Sequence, residues 1–305
     1  MSVGSGRTPR IGFVGVGEVG AGYARAVLNG GLPPECVRIL YLSDRAGADP
    51  QSAADVAAGL GVELSATPAD FVAGLDLVVS AVTPNSALGT ASVLAGHLLP
   101  ECSYLDLNSV SPRTKRAIAE LFSGGAAQVI DGAIIGAPAA SGLMSISLSG
   151  ERAPRVSEIL TPLGARITIV GDRVGVAATI KMTRSVVTKG LAMLLVESLW
   201  AARQAGVEDA VLAGLDDALH HRDFATLVQR FVCGSLRHAG RRVGEMEEVE
   251  AFLGELGVPA EMTRATRDRL AYLASRADEW RYADVSEVGA ALDAVAAVPD
   301  GEQQC

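Results

Sequence analysis

The stretch from Ile11 to Gly31, IGFVGVGEVGAGYARAVLNGG, constrains the fold more than any other. Ile11 to Val16 is a short apolar run of β-favouring residues. It leads into Gly15, Gly17 and Gly20 at GxGxxG spacing, and AGYARAVLNGG then continues at helical period before stopping at Gly30 and Gly31. Between a strand and a helix each glycine has a physical task. The first permits a tight turn, the second lets backbone approach a ligand, and the third lets helix and strand pack closely. The spacing alone means little in a chain with 34 glycines; the strand before it and the helix after it make it informative. Together they predict a helix N-terminus whose free amides face a pyrophosphate, cradled by Gly15, Gly17, Glu18, Val19 and Gly20.

Val37 to Ser43 (VRILYLS) reads as a second strand, followed by Asp44 and Arg45. An acidic residue roughly 20 positions past the glycines is where a ribose 2′-hydroxyl is held. Asp44 there favours NAD by repelling a 2′-phosphate, whereas Arg45 would welcome it, so the pair points to NAD or NADP with a slight lean to NAD. Leu75 to Val82 (LDLVVSAV) and Ser103 to Leu107 (SYLDL) read as buried parallel strands. They open into Thr83-Pro84-Asn85 and Asn108-Ser109-Val110-Ser111-Pro112, polar loops at the carboxyl edge where open α/β sheets bind ligands. Next come a helix over Arg113 to Phe122, a strand over Gln128 to Ile130, and the small-residue segment DGAIIGAPAASG from Asp131 to Gly142. Strands over Met144 to Ser149 and Ala165 to Val170 complete the half. The prediction is an α/β, Rossmann-type doubly wound parallel sheet of seven or eight strands over residues 1–172, with the boundary at Gly171-Asp172.

The rest, 173–305, reads as an all-α domain begun by one long helix from Gly175 to Gly206. Further helices are expected over Asp209 to His220, Phe224 to Gly234, Arg242 to Leu256, Ala260 to Arg276 and Val285 to Ala297, with a break at Gly240. In the long helix Lys181, Ser185 and Thr188 fall on one narrow polar stripe. Lys115, Lys181 and Lys189 are the lysines of a chain whose 26 basic residues are otherwise arginine. A lysine inside this helix has a chemical reason: burial can lower an ammonium from about 10.4 toward 7–8, where it exchanges protons, which a guanidinium cannot do. The alternative is a lysine whose stem packs while its head reaches water. His238, Arg241, Arg242 and Glu245 form the densest ionisable cluster of this half, either a solvated helix face or a place where Arg241 and Glu245 meet a polar or anionic substrate group. His97 and the His220-His221 pair read as structural or surface residues.

Composition narrows the function. A net charge of −9 without a basic tract argues against nucleic acid and anionic membranes. Cys36, Cys102, Cys233 and Cys305 lie far apart, with no metal-ligand spacing, and read as free thiols of a reducing cytoplasm. No secretory signal is evident, and Glu197 interrupts the longest apolar helix, so a membrane span is not expected.

These residues resemble the 6-phosphogluconate dehydrogenase-like, or β-hydroxyacid dehydrogenase, superfamily of NAD(P)-dependent enzymes, over nearly the whole chain. GVGEVG is similar to the family's cofactor glycines and DLNSVSP to its Asp-x-Ser-Thr-x-x-Pro loop near the nicotinamide. DGAIIGAPAA resembles its Asp-Ala-Pro-Val-Ser-Gly-Gly substrate loop, and GVAATIKMTRS its Gly-x-Gly-x-x-x-Lys-x-x-x-Asn element. RRVGEMEEVEAFLGELG resembles a subgroup with a variant C-terminal helical domain. The resemblance implies Lys181 as the proton-transfer residue with Ser185 beside the reacting oxygen. It also implies Asn108, Ser109 and the amides of Gly136 and Ala137 at the substrate, Thr83, Pro84, Asn85 and Asn108 at the cofactor, and a homodimer formed through the helical domain. Departures are Ile135 for the family's serine, Ala137 for its second glycine and Ser185 for its asparagine. Thr188 and Lys189 stand where the decarboxylating sugar-phosphate enzymes carry a glutamate, which disfavours 6-phosphogluconate. The expectation is hydride transfer between nicotinamide and a small hydroxy acid or alcohol and its ketone. The alternatives are C=N reduction, as by imine reductases of this architecture, and a non-catalytic nicotinamide-binding protein.

Overall fold

The computed structural model describes residues 7–42, 50–124, 128–135, 145–220, 223–277 and 286–296. Strand β1 (Ile11–Val14) leads into helix α1 (Glu18–Asn29) and then β2 (Val37–Leu40). Next come α2 (Pro50–Leu60), β3 (Glu63–Ser65), α3 (Pro68–Val72), β4 (Leu77–Ser80) and α4 (Ala87–Ala95). β5 (Ser103–Asp106), α5 (Pro112–Leu121), β6 (Gln128–Ile135), β7 (Ser145–Ser149), α6 (Ala153–Leu160) and β8 (Ile167–Gly171) follow. The strands form one eight-stranded sheet in the order β3-β2-β1-β4-β5-β6-β7-β8. Neighbouring residues of a strand feed opposite cores, as expected where both faces are covered. Leu77 and Val79 join Tyr23 and Val27 of α1 and Val156 and Leu160 of α6, while Val78 joins Phe71 of α3, Leu94 of α4 and Ile118 of α5. This is the doubly wound α/β sheet that the strand–turn–helix pattern predicts.

Two features of the sheet differ from the sequence reading. β6 runs on through Asp131 and Gly132 to Ile135, because these residues keep their register against β5 and β7. β7 is antiparallel to β6, whereas every other pairing is parallel. The connection over 136–144 is too short for a crossover, which takes about a dozen residues or more. Elements α2, β3, α3 and α4 had no clear sequence signal: their segments are short or rich in alanine.

Helix α7 spans Val176–Gln204, and α8 (Glu208–Leu219), α9 (Phe224–Glu255), α10 (Glu261–Ser275) and α11 (Val288–Ala296) follow it. The two helices expected on either side of Gly240 are present as the two arms of α9, which meet at a kink at His238, with φ −120° and ψ 18°, two residues before the expected break. α10 and α11 pack along α9. The chain divides into two compact units, Met1–Ser185 and Val186–Cys305. This division by compactness falls within α7, whose first turns are bonded to β6 and β7. By length and mean hydropathy, 1.3 over an 18-residue window, α7 could cross a membrane. Its residue Glu197, however, is a buried carboxylate hydrogen-bonded to α10, as in a helix of a globular fold.

Candidate active site

Gly15 has φ +89°, a conformation that glycine adopts freely, and a Cβ there would lie 2.3 Å from the carbonyl oxygen of Ala81. At Gly20 a Cβ would lie 1.8 Å from the oxygen of Gly15, so this glycine lets α1 close onto the turn. At Gly17 a Cβ would meet nothing within 4 Å. Gly17 is the N-cap of α1 and no side chain caps it, so the first amides of the helix are left for an anion in that space. A side chain is thus excluded at Gly15 and Gly20, and the space beside Gly17 is open.

The turn lines a cleft of about 810 Å³ along the carboxyl edge of β1, β2, β4 and β5. Gly15, Gly17, Glu18 and Val19 line it with Tyr41 and Leu42 after β2, Thr83 and Pro84 after β4, Asn108 and Ser109 after β5, and Lys181 from α7. That is a volume suited to a bound small molecule, and all of its lining residues belong to the first unit. Ser185 is half-buried one turn beyond Lys181, and Asn85 lies in the short 3-10 turn Pro84–Ser86 at the cleft's edge. Asp44, Arg45, Gly136 and Ala137 lie outside the described residues. Arg241 and Glu245 belong to the second unit, where they pair with each other on exposed turns of α9.

Asn108 is only 3% exposed. Its Oδ1 accepts from the amide of Val82 at 2.7 Å and its Nδ2 donates to Ser80 Oγ at 3.1 Å, so it clamps the loops after β4 and β5 together. One amide hydrogen and one lone pair of its side chain remain for the cleft. Ser109 is the next residue, and Lys181 Nζ donates to its hydroxyl at 2.7 Å. Lys181 is half-buried.

The fully buried lysine is Lys115, a residue the sequence did not single out. It is 1% exposed, and its Nζ lies 2.8 Å from Asp106 Oδ1 and 3.2 Å from Asp131 Oδ1, both carboxylates being fully buried. It also donates to the backbone oxygen of Asp106 at 2.6 Å. Asp106 and Asp131 are register partners on the parallel strands β5 and β6, so a cation between them offsets two charges that would otherwise repel. Each carboxylate also holds part of the cleft. Asp106 Oδ1 accepts from the amide of Asn108 at 2.8 Å. Asp131 Oδ2 accepts from the amides of Gly175 and Ala178, at 3.1 and 2.9 Å, satisfying free donors at the start of α7. The Ser109 loop and the Lys181 helix are thereby fixed to one buried ionic centre. The sequence alone carries no signal for it, because Asp106 and Asp131 become neighbours only when β5 and β6 pair.

Comparison with known proteins agrees with this geometry. The NAD binding domain of 6-phosphogluconate dehydrogenase matches residues 10–171, and a domain of unknown function, DUF1932, matches residues 202–273. An uncharacterized 28.5 kDa protein in the 7S RNA 5′ region of Methanothermus fervidus is 31% identical, over 87% of this chain and 98% of that protein. The conserved protein MTH1747, of unknown function and described as structurally similar to 3-hydroxyacid dehydrogenases, is 32% identical. It covers 88% of this chain and 99% of its own, with a TM-score of 0.58. An imine reductase from Streptomyces aurantiacus shares the fold at 18% identity, with a TM-score of 0.72 over 94% of this chain and 99% of its own. The chain belongs to the 6-phosphogluconate dehydrogenase-like family of NAD-binding proteins.

Proposed function

We propose that this protein is a soluble cytoplasmic NAD(P)-dependent oxidoreductase that interconverts a small hydroxy acid or alcohol and its ketone, with Lys181 handling the proton. The observation that carries the reading is the 2.7 Å hydrogen bond from Lys181 Nζ to Ser109 Oγ, in the cleft that the glycine turn also lines. A bound nicotinamide supplies the hydride chemistry. Gly15, Gly17 and Gly20, with Glu18 and Val19, hold the pyrophosphate, and Thr83, Pro84 and Asn85 border the dinucleotide. Asp44 and Arg45 follow β2 where the ribose is read, with a slight lean to NAD. Lys181 gives a proton to the oxygen as a carbonyl is reduced and takes it back in reverse, a role worth roughly 10²- to 10⁴-fold. Ser109, accepting from Lys181, has its own hydroxyl proton to offer the substrate oxygen. Ser185 adds a second hydroxyl on the same stripe. The amides of Gly136 and Ala137 are suited to a substrate carboxylate, and Arg241 and Glu245 are further candidates for substrate contact. A homodimer completes the proposal.

The test begins with a nicotinamide absorbance screen of hydroxy acids, alcohols, ketones and cyclic imines against NAD and NADP. On a substrate that turns over, Lys181→Met keeps the apolar stem and removes the ionisable head. Dinucleotide binding should persist while turnover falls by roughly 10²-fold or more. The exposed Lys189, as Lys189→Met, should change little. A Lys181→Met enzyme within about threefold of wild type would sink the proton-transfer role, and turnover confined to imines would move the reaction to C=N reduction.

A further inference from the structure

At the His238 bend of α9 a groove of about 410 Å³ opens, entirely within the second unit. Arg230, Arg237, His238 and Arg242 line it, and no carboxylate does among the described residues. That is unusual in a chain whose 35 acidic residues outnumber its 26 basic ones. Several other arginines of this unit meet a carboxylate, Arg203 with Glu208, Arg241 with Glu245, and Arg264 and Arg267 with Glu250, while Arg269 and Arg276 lie over the Tyr272 ring. Arg230 and Arg242 have no such partner among the described residues. Arg230 lies 5.8 Å from the centroid of the Phe231 ring. Arg242 folds back along its helix and donates to Ser235 Oγ at 2.7 Å. Those two positions are roughly 10 Å apart along a regular helix. Gly234 lies directly beneath the Arg242 guanidinium, and a Cβ there would stand 3.4 Å from Arg242 Nη2, in van der Waals contact. One hydroxyl therefore fixes the Arg242 guanidinium, while most of its five N–H donors stay uncommitted.

We propose that this groove binds a small oxyanion-bearing ligand through its phosphate or carboxylate group, with Arg242 as the fixed fork and Arg230 as the second cation. Guanidinium groups match both oxyanions by paired, charge-assisted hydrogen bonds. The volume, at the lower end of small-molecule sites, holds more than the anion alone. The proposal does not depend on the chemistry assigned to Lys181.

Calorimetric titration of inorganic phosphate, and separately of malonate, into the full chain at constant ionic strength tests it. Saturable binding of at least one anion in the millimolar range or tighter is expected. Whichever binds better identifies the phosphate or the carboxylate class. Arg242→Met and Arg230→Met should each weaken that binding about fivefold or more, and Arg203→Met, whose guanidinium meets Glu208 outside the groove, by less than about twofold. Arg230 makes no hydrogen bond among the described residues, so its variant reads the site even if the Arg242→Met bend is disturbed. Absence of saturable binding by either anion overturns the proposal. Binding that survives both substitutions overturns it too, as phosphate held instead at the Gly15–Gly20 turn would.

Discussion

Lys115 and Lys181 are chemically the same residue put to opposite uses, and what separates them is their neighbours. Lys181 lines a cleft and donates to the Ser109 hydroxyl; Lys115 is enclosed with two carboxylates. Removing one partner of a buried ionic group costs more than the group contributed, because the remaining charges are left without compensation. Lys115→Met should therefore lower stability by about 3–5 kcal/mol in denaturant titration. Replacing Asp131 with asparagine in the same chain should recover part of that loss. A loss under about 1 kcal/mol would show that the aspartates are relieved by protonation or water at little cost. Lys181 was legible in the sequence because the helical repeat alone places it on a polar stripe with Ser185. Lys115 was not, since within α5 it looks like any polar residue of an amphipathic helix. Its role arises only when β5 and β6 pair and bring Asp106 and Asp131 together.

Glu197 carries the same lesson to whole elements. In the sequence it marks only where the apolar run of α7 is interrupted; in the fold it supplies the missing cap of α10. Its carboxylate accepts from the amides of Met262 and Thr263, both at 2.9 Å, and from the Thr263 hydroxyl at 2.6 Å. No side chain of α10's own N-cap, Ala260, can do this. Burial works against the charge, but the bonds from Thr263 and Met262, with Arg264 nearby, outweigh it and hold the carboxyl below its ordinary value of 4.5. A depressed carboxyl stabilises the fold in full above its unfolded pKa, and the contribution is lost as pH falls through the folded value. Glu197→Gln should thus cost about 1–2 kcal/mol at pH 7 in denaturant titration, and progressively less as pH falls through the lowered folded value. A cost that does not change with pH would assign the effect to shape and not charge. The long helices were legible from their period, because their apolar faces recur within the element. The break within α9 was read at Gly240, two residues from the His238 kink, whereas the antiparallel β7 and the short α2–α3 region were not legible, since each depends on partners distant in sequence.

The two units differ in how much apolar surface they bury. The first has a core on each face of its sheet, whereas the described part of the second shows two small clusters, one around Ala201, Leu253 and Val258, the other around Cys233, Leu236 and Ala291. In that same second unit, α7 exposes Val186, Met193 and Trp200 seven residues apart, with Val187, Leu191 and Leu194 beside them, and Val186 is 75% accessible. Residues at that interval lie along one side of a helix. A contiguous apolar stripe of this kind marks a surface that association covers. The occupant proposed here is a second copy of the chain, which supplies the same stripe by two-fold symmetry. Light scattering after size exclusion should then give about twice the 31.4 kDa chain mass at micromolar concentration. Val186→Asp combined with Met193→Asp should shift the protein toward monomer, because two carboxylates would have to be buried without partners. Neither side chain lies in the cleft or belongs to the buried clusters, so loss of the dimer should leave the dinucleotide-binding unit folded. A wild-type monomer at tens of micromolar would refute the proposal, and a dimer unaffected by both substitutions would place the contact away from α7.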